Sequence, residues 1–267
     1  MDRFDEAGAA FARLCRIMAR LRAPGGCPWD REQTPQSLKP YLIEEAYETI
    51  DAIDAGDADS LREELGDLLL QVVFHAEIGQ ETAAFDIAGV ATGIGDKLVR
   101  RHPHVFGDKS AEGADGALRN WEAVKAKERP AGKGTLDSIP RGLPALLRAM
   151  RSGEKAGAVG FDWSKPEDVA LKVDEEWREL RHAMAHETPE ATAEELGDLL
   201  FAIVNLSRRL SIDAESALQF ATDKFQRRFA FIERSLAAEG RSPRDATMDE
   251  LDRLWERAKA EERQREA

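Results

Sequence analysis

The chain has 267 residues, 42% of them apolar and 33% charged, with a formal charge of −13. That balance describes a globular protein and sets disorder aside, while the acidic excess argues against nucleic acid or an anionic membrane as partner, since both are bound by neutralising phosphates with Lys and Arg. Two cysteines, Cys15 and Cys27, are too few for a disulfide framework; with an acidic N-terminus and no long apolar run, they point to reduced thiols in the cytoplasm.

Phe4, Ala7, Phe11, Leu14, Met18 and Leu21 recur at steps of three and four, predicting an amphipathic helix that ends before Pro24-Gly25-Gly26. Gly26-Cys27-Pro28-Trp29-Asp30 reads as a loop. Thr34-Pro35 then reads as the cap and first turn of a second helix carrying Leu38, Leu42, Ala46, Ile50 and Ile53. On its helical wheel Glu45 falls inside the apolar arc and Glu48 at the edge. Gly56-Asp57 breaks that helix, and Ser60 with Glu63 offers a capping box for a third. The third runs to about Ile78 on Leu61, Leu65, Leu68, Leu69, Val72 and Ala76, with Glu64 and Asp67 flanking the stripe. A fourth helix spans Ile87 to Arg101, a short one contains Trp121, and the Pro- and Gly-rich stretch over 129–144 reads as a linker.

The second half replays the first. Glu194-Glu195-Leu196-Gly197-Asp198-Leu199-Leu200 repeats Glu63 to Leu69 after 131 residues, and Glu176 and Glu179 repeat Glu45 and Glu48 at the same interval. Gly160-Phe161-Asp162-Trp163 echoes Gly26 to Trp29, Thr188-Pro189 caps the helix of Glu195, Asp223 to Arg228 mirrors Asp96 to Arg101, and Trp255 to Lys259 mirrors Trp121 to Lys125. With no alternating apolar and polar run, the expected architecture is all-α, with two tandem helical repeats: an N-terminal domain over 1–130, a linker over 131–144 and a C-terminal domain over 145–267.

Carboxylates three apart share a helix face, so each acidic word presents two to one spot. Two such helices packed antiparallel converge four. Four unneutralised carboxylates against an apolar arc repel one another and lose hydration, so a cation is their natural occupant; hard oxygen ligands favour Mg²⁺ or Mn²⁺. A solvated acidic face is the plainer reading of any single pair, but the duplication and the apolar flank favour metal. A ferritin-like diiron bundle needs Glu-x-x-His pairs; His182 does follow Glu179 by three, yet Asp51 holds the matching place in the first half. Lys224 and Arg228, four apart, offer cationic donors, as Lys97 and Arg101 do in the first half; they read either as a polyphosphate grip or as exposed helix charges. Trp255 reads as a stacking platform for a base or as a core anchor.

The words GCPWD (Gly26 to Asp30), EEAYE (Glu44 to Glu48), EELGDLL (Glu63 to Leu69), RRHPHVF (Arg100 to Phe106), GFDW (Gly160 to Trp163) and KFQRRF (Lys224 to Phe229) together resemble the MazG-type nucleoside triphosphate pyrophosphohydrolases, in their two-repeat bacterial form, over nearly the whole chain. The resemblance implies cleavage of a nucleoside triphosphate between the α and β phosphates, in nucleotide housecleaning, by a homodimer tolerant of the base. It implies Mg²⁺, with Mn²⁺ as substitute, on Glu176, Glu179, Glu195 and Asp198; phosphates held by Lys224 and Arg228; and Trp255 and Lys259 near the nucleotide. It also implies catalysis in the C-terminal half, although the first half keeps Glu45, Glu48, Glu64, Asp67, Lys97, Arg101 and Trp121 as a second metal or nucleotide site. One visible asymmetry fits: Lys172, a further phosphate-binding cation, stands one turn before Glu176, where the first half has Tyr41. Ala191-Thr192-Ala193 departs from the family, which can offer a lysine there. Two rivals stand beside this expectation: a relative narrowed to dUTP, dCTP or phosphoribosyl-ATP, and a non-catalytic helical regulator.

Overall fold

The computed structural model describes residues 2–128, 132 and 134–265, and among them there is no strand. The chain divides into two compact units, Met1–Glu128 and Arg129–Ala267. Of the linker expected over 131–144, residues 131 and 133 lie outside the described residues, and 134–144 consists of turns.

The first unit holds α1 (Arg3–Arg22), α2 (Pro28–Glu32), α3 (Lys39–Ala55), α4 (Ala58–Glu81), α5 (Ile87–Arg101), α6 (Pro103–Phe106) and α7 (Gly113–Lys127). Asp2 caps α1 with a reciprocal Asp2–Asp5 box, and Gly56, in the left-handed region at φ 67°, ends α3. α3 and α4 form a tight hairpin across that glycine, while α1 packs on α4. The core gathers Met18, Leu38, Val73, Phe74 and Ile78, lined by Phe11, Leu14 and Leu70. Arg22 fastens its edge with two 2.7 Å bonds to Glu81 and further bonds to the Asp30 and Gln33 carbonyls.

Three local expectations are corrected here. The GCPWD stretch is not all loop, because Pro28 opens the five-residue α2. Thr34 caps only a turn, accepting from the Ser37 amide at 3.1 Å; Pro40, lacking an N–H, cannot continue that turn as a helix, so α3 starts at Lys39 with Pro40 in its first turn. The cap of α4 is Asp57 instead of Ser60: its carboxylate accepts from the Asp59 amide and the Ser60 hydroxyl.

The second unit holds α8 (Ala145–Gly157), α9 (Pro166–His186), α10 (Pro189–Arg209), α11 (Ala214–Ala237) and α12 (Met248–Arg265). Sequence periodicity had not singled out α8, the counterpart of α1; its Leu146, Ala149 and Met150 pack with Val204 and Ala214. α9 and α10 pair closely, Thr188 capping α10 as expected, and α11 pairs with α12 over Ile232, Leu236 and Leu254. Asp162 of the GFDW word ties the start of α9 to the end of α10 through a two-pronged ion pair with Arg208 at 2.9 and 2.6 Å.

The apolar stripe of the acidic helices is only partly covered within the chain. Leu199 is buried, but Leu196, Leu200, Phe201 and Ile203 on α10, like Leu65, Leu69 and Val72 on α4, remain at least one-third exposed. The wheel locates the stripe correctly; what covers all of it is not the chain's own core.

Candidate metal and nucleotide site

Glu45 and Glu48 lie on α3 above the Gly56 turn and Glu64 lies just below it on α4, so the hairpin folds the two acidic words face to face. One oxygen from each of the three lies within 4.8 Å of the others, and Glu176, Glu179 and Glu195 make the same triplet on α9 and α10. Three carboxylates therefore converge in each unit where four were expected. Asp67 and Asp198 stand one turn further along, outside the triplets, yet close enough for their charge to act on Glu45 and Glu195. Glu176 is the most enclosed, with 6% of its surface exposed.

The donor set fits a hard dication. An ion about 2.1 Å from each oxygen spans at most about 4.2 Å between opposite ligands, so a small rotamer adjustment closes either triplet. The cost of leaving them without an ion is visible in the titration of the groups. Burial, followed by the charges of Glu179, Glu176 and Asp198, holds the Glu195 carboxyl above its usual range, and burial with Asp67, Glu48 and Glu64 does the same to Glu45. Because the folded value exceeds the unfolded one, the folded state takes up the proton more readily, and the metal-free protein loses stability as pH rises through that raised value from the ordinary carboxylate range. Glu195→Gln is accordingly expected to raise the melting temperature of the metal-free protein at neutral pH and to flatten its fall as pH rises above the ordinary carboxylate range, read by thermal melts in chelator.

The clusters differ in one contact. The Lys172 ammonium lies 2.7 Å from both Glu175 and Glu176, which raises its pKa further above the ordinary ammonium range. In the first unit Tyr41 occupies that place and packs edge-on against Trp29, ring centres 6.0 Å apart.

The other expected site residues lie on the α11–α12 pair. Arg228 donates to Glu262 at 2.8 Å, and its guanidinium sits over the Trp255 ring at 5.4 Å. It also lines a groove of about 370 Å³ with Arg227, Phe231, Arg234 and Ala258. Lys224 is exposed one turn earlier, and Lys259 pairs with Glu256 at 2.5 Å. Trp255 packs on the Ile232–Leu236–Leu254 cluster and is partly buried there, leaving some of its surface open, so anchor and platform are compatible roles. Among the described residues no ion pair joins Lys224, Arg228 or Lys259 to the four acidic positions. The first unit repeats the clip: Arg101 donates to Glu128 at 2.8 and 2.6 Å and lies 5.1 Å over Trp121, with Lys97 one turn away. Glu128 and Glu262, absent from the sequence reading, follow Trp121 and Trp255 by two helical turns in both repeats; that matched spacing is the signal that could have found them.

The model of the MazG nucleotide pyrophosphohydrolase domain matches residues 33–106 and 164–230, which contain both acidic clusters and both Lys–Arg pairs. The chain is 49% identical over 255 residues to the nucleoside triphosphate pyrophosphohydrolase/pyrophosphatase MazG of Thermotoga maritima, covering 95% of this chain and 97% of that one. It is 48% identical over 257 residues to the nucleoside triphosphate pyrophosphohydrolase of Escherichia coli K12, covering 94% and 97%. It is also 45% identical to the uncharacterised Bacillus subtilis protein YabN, of which the match covers 52%.

Proposed function

The chain belongs to the MazG nucleotide pyrophosphohydrolase family, and from that premise we propose that its C-terminal unit hydrolyses nucleoside triphosphates to the monophosphate and pyrophosphate in the presence of Mg²⁺, with Mn²⁺ as a substitute. The observation that carries this reading is the convergence of Glu176, Glu179 and Glu195 around a space suited to a hard cation. The ion, when bound, supplies Lewis acidity, a more acidic water and neutralisation of the leaving pyrophosphate.

The chain's own residues do the rest. Glu176, held in place by burial, and Glu179 and Glu195 fix the ion, with Asp198 in reach one turn on. Lys172, Lys224 and Arg228 grip the phosphates, and positioning with charge neutralisation provides most of the acceleration. Glu262 and Trp255 keep the Arg228 guanidinium from swinging free. Trp255 offers a π face, which stacks on any base and supports broad base tolerance; Lys259 stands one turn along on the same helix. The first unit, with Glu45, Glu48, Glu64, Asp67, Lys97, Arg101 and Trp121 but no counterpart of Lys172, serves as a second metal or nucleotide site. The bared apolar residues of α4 and α10 support a homodimer. No helix among the described residues is long and apolar enough to cross a membrane, in keeping with a cytoplasmic housecleaning enzyme.

The test is product identity. Purified protein with Mg²⁺ and a panel of ribo- and deoxyribonucleoside triphosphates is expected to yield monophosphate and pyrophosphate from several of them, resolved by ³¹P NMR. Orthophosphate with a diphosphate would defeat the bond assignment, and one strongly preferred substrate would defeat the base tolerance. Absence of any turnover would favour a non-catalytic regulator.

A further inference from the structure

The two acidic clusters share their ligand set, Glu45, Glu48 and Glu64 against Glu176, Glu179 and Glu195, so the cation present in only the second stands out. Lys172 projects from α9 one turn before Glu176 and places its ammonium on the Glu176 carboxylate at 2.7 Å, while Glu175 offers a second oxygen at 2.7 Å. Glu176 is buried, and a carboxylate withdrawn from water needs a positive partner. Lysine is the partner here. In the first unit Tyr41 is committed to Trp29, and among the described residues no ion pair is recorded for Glu45.

A dication taking the same Glu176 oxygen would sit within a few ångströms of the ammonium, and the two positive charges repel. One must leave. The lysine is able to, because its charge rides on a flexible four-carbon stem and Glu175, on the solvent side, gives it another seat. A phosphate arriving with the ion is a still better seat, since it brings negative charge to the same place.

We propose that Lys172 is a displaceable counterion: it occupies the C-terminal carboxylate cluster until a divalent ion enters, and the freed ammonium then pairs with the nucleotide phosphates, so that ion and nucleotide favour each other's binding there. This rests on reading the C-terminal cluster as the metal site. It goes beyond that reading by making the lysine the link between the two ligands. Linkage requires the effect to be reciprocal: whatever factor the nucleotide adds to metal affinity, the metal adds to nucleotide affinity.

The experiment is Mn²⁺ binding, followed by the EPR signal of free Mn²⁺, on the full chain carrying Glu48→Gln to silence the first cluster. It is run with Lys172 intact, Lys172→Met and Lys172→Arg, each with and without an α,β-methylene nucleoside triphosphate. Without nucleotide, Lys172→Met is expected to bind Mn²⁺ at least about fivefold more tightly, while Lys172→Arg stays near the parent. The enhancement of Mn²⁺ affinity by the analogue is expected to shrink by a similar factor in Lys172→Met. Equal nucleotide-free affinity in the parent and Lys172→Met, or an undiminished enhancement by the analogue, would overturn the exchange and leave the metal-site reading intact. If none of the proteins binds Mn²⁺ under any condition, the metal-site reading falls and the exchange falls with it.

Discussion

Glu179→Gln is expected to lower pyrophosphate release by more than about a hundredfold at an Mg²⁺ concentration that just saturates the parent protein, while Glu48→Gln, its twin in the first unit, loses far less. Removing an outer-shell partner of a metal ligand typically costs ~10–100-fold in metal affinity or activity, and Glu179 is placed to touch the ion itself. Its oxygen is one of three within 4.8 Å of one another; glutamine keeps the shape but removes the charge that outweighs the ion's hydration. The contrast with Glu48 is informative because the two share helix position and exposure. Equal losses would show that both units are catalytic or that the units depend on each other; a loss confined to Glu48→Gln would reverse the assignment. Raising Mg²⁺ further is expected to recover part of the Glu179→Gln deficit, since the lesion lies in holding the ion.

Arg228→Ala carries the second largest effect, on the order of a hundredfold or more in kcat/KM. Arginine pairs with phosphate through a rigid fork, and comparable arginines in phosphoryl transfer are worth ~10³–10⁵ when they act on the transition state. Part of any loss in the variant is structural, because Arg228 also bonds Glu262 and covers Trp255. The first unit supplies the control. Arg101→Ala breaks the same clip, with Glu128 and Trp121, so both variants should lose similar and small stability, as solvent-screened pairs do, while only Arg228→Ala loses turnover. Melting curves beside steady-state kinetics separate the two contributions.

The acidic words were legible in the sequence because residues three apart on a helix must share a face, and because the 131-residue repeat excluded coincidence. The grouping of three oxygens within 4.8 Å, with Asp198 acting on Glu195 from outside it, was not, since it depends on how α9 and α10 face each other and on the rotamers of the side chains. Local boundaries failed where proline acted: Pro28 opened a helix in the expected loop, and Pro40 moved the start of α3 past Thr34. α8 went unread although Leu146, Ala149 and Met150 share one face, because it follows directly on the Pro- and Gly-rich linker and its core partners, Val204 and Ala214, lie more than fifty residues away. The Lys172 contact was half legible: spacing put lysine and glutamate on one face, but only burial of Glu176 makes the lysine its counterion.

The arginine–glutamate–tryptophan clip has one further consequence. Across the repeat the acidic words recur after 131 residues, Arg101 and Arg228 after 127, and Trp121 and Trp255 after 134, yet the same three side chains meet in both units. The changes in length fall mainly within the helices: α4 runs three residues further past its acidic word than α10 does, and α11 continues nine residues past Arg228 where α5 stops at Arg101. The same meeting of arginine, glutamate and tryptophan has survived altered helix lengths on either side of it, so the clip, and not the length of its helices, sets where the paired helices touch in each unit.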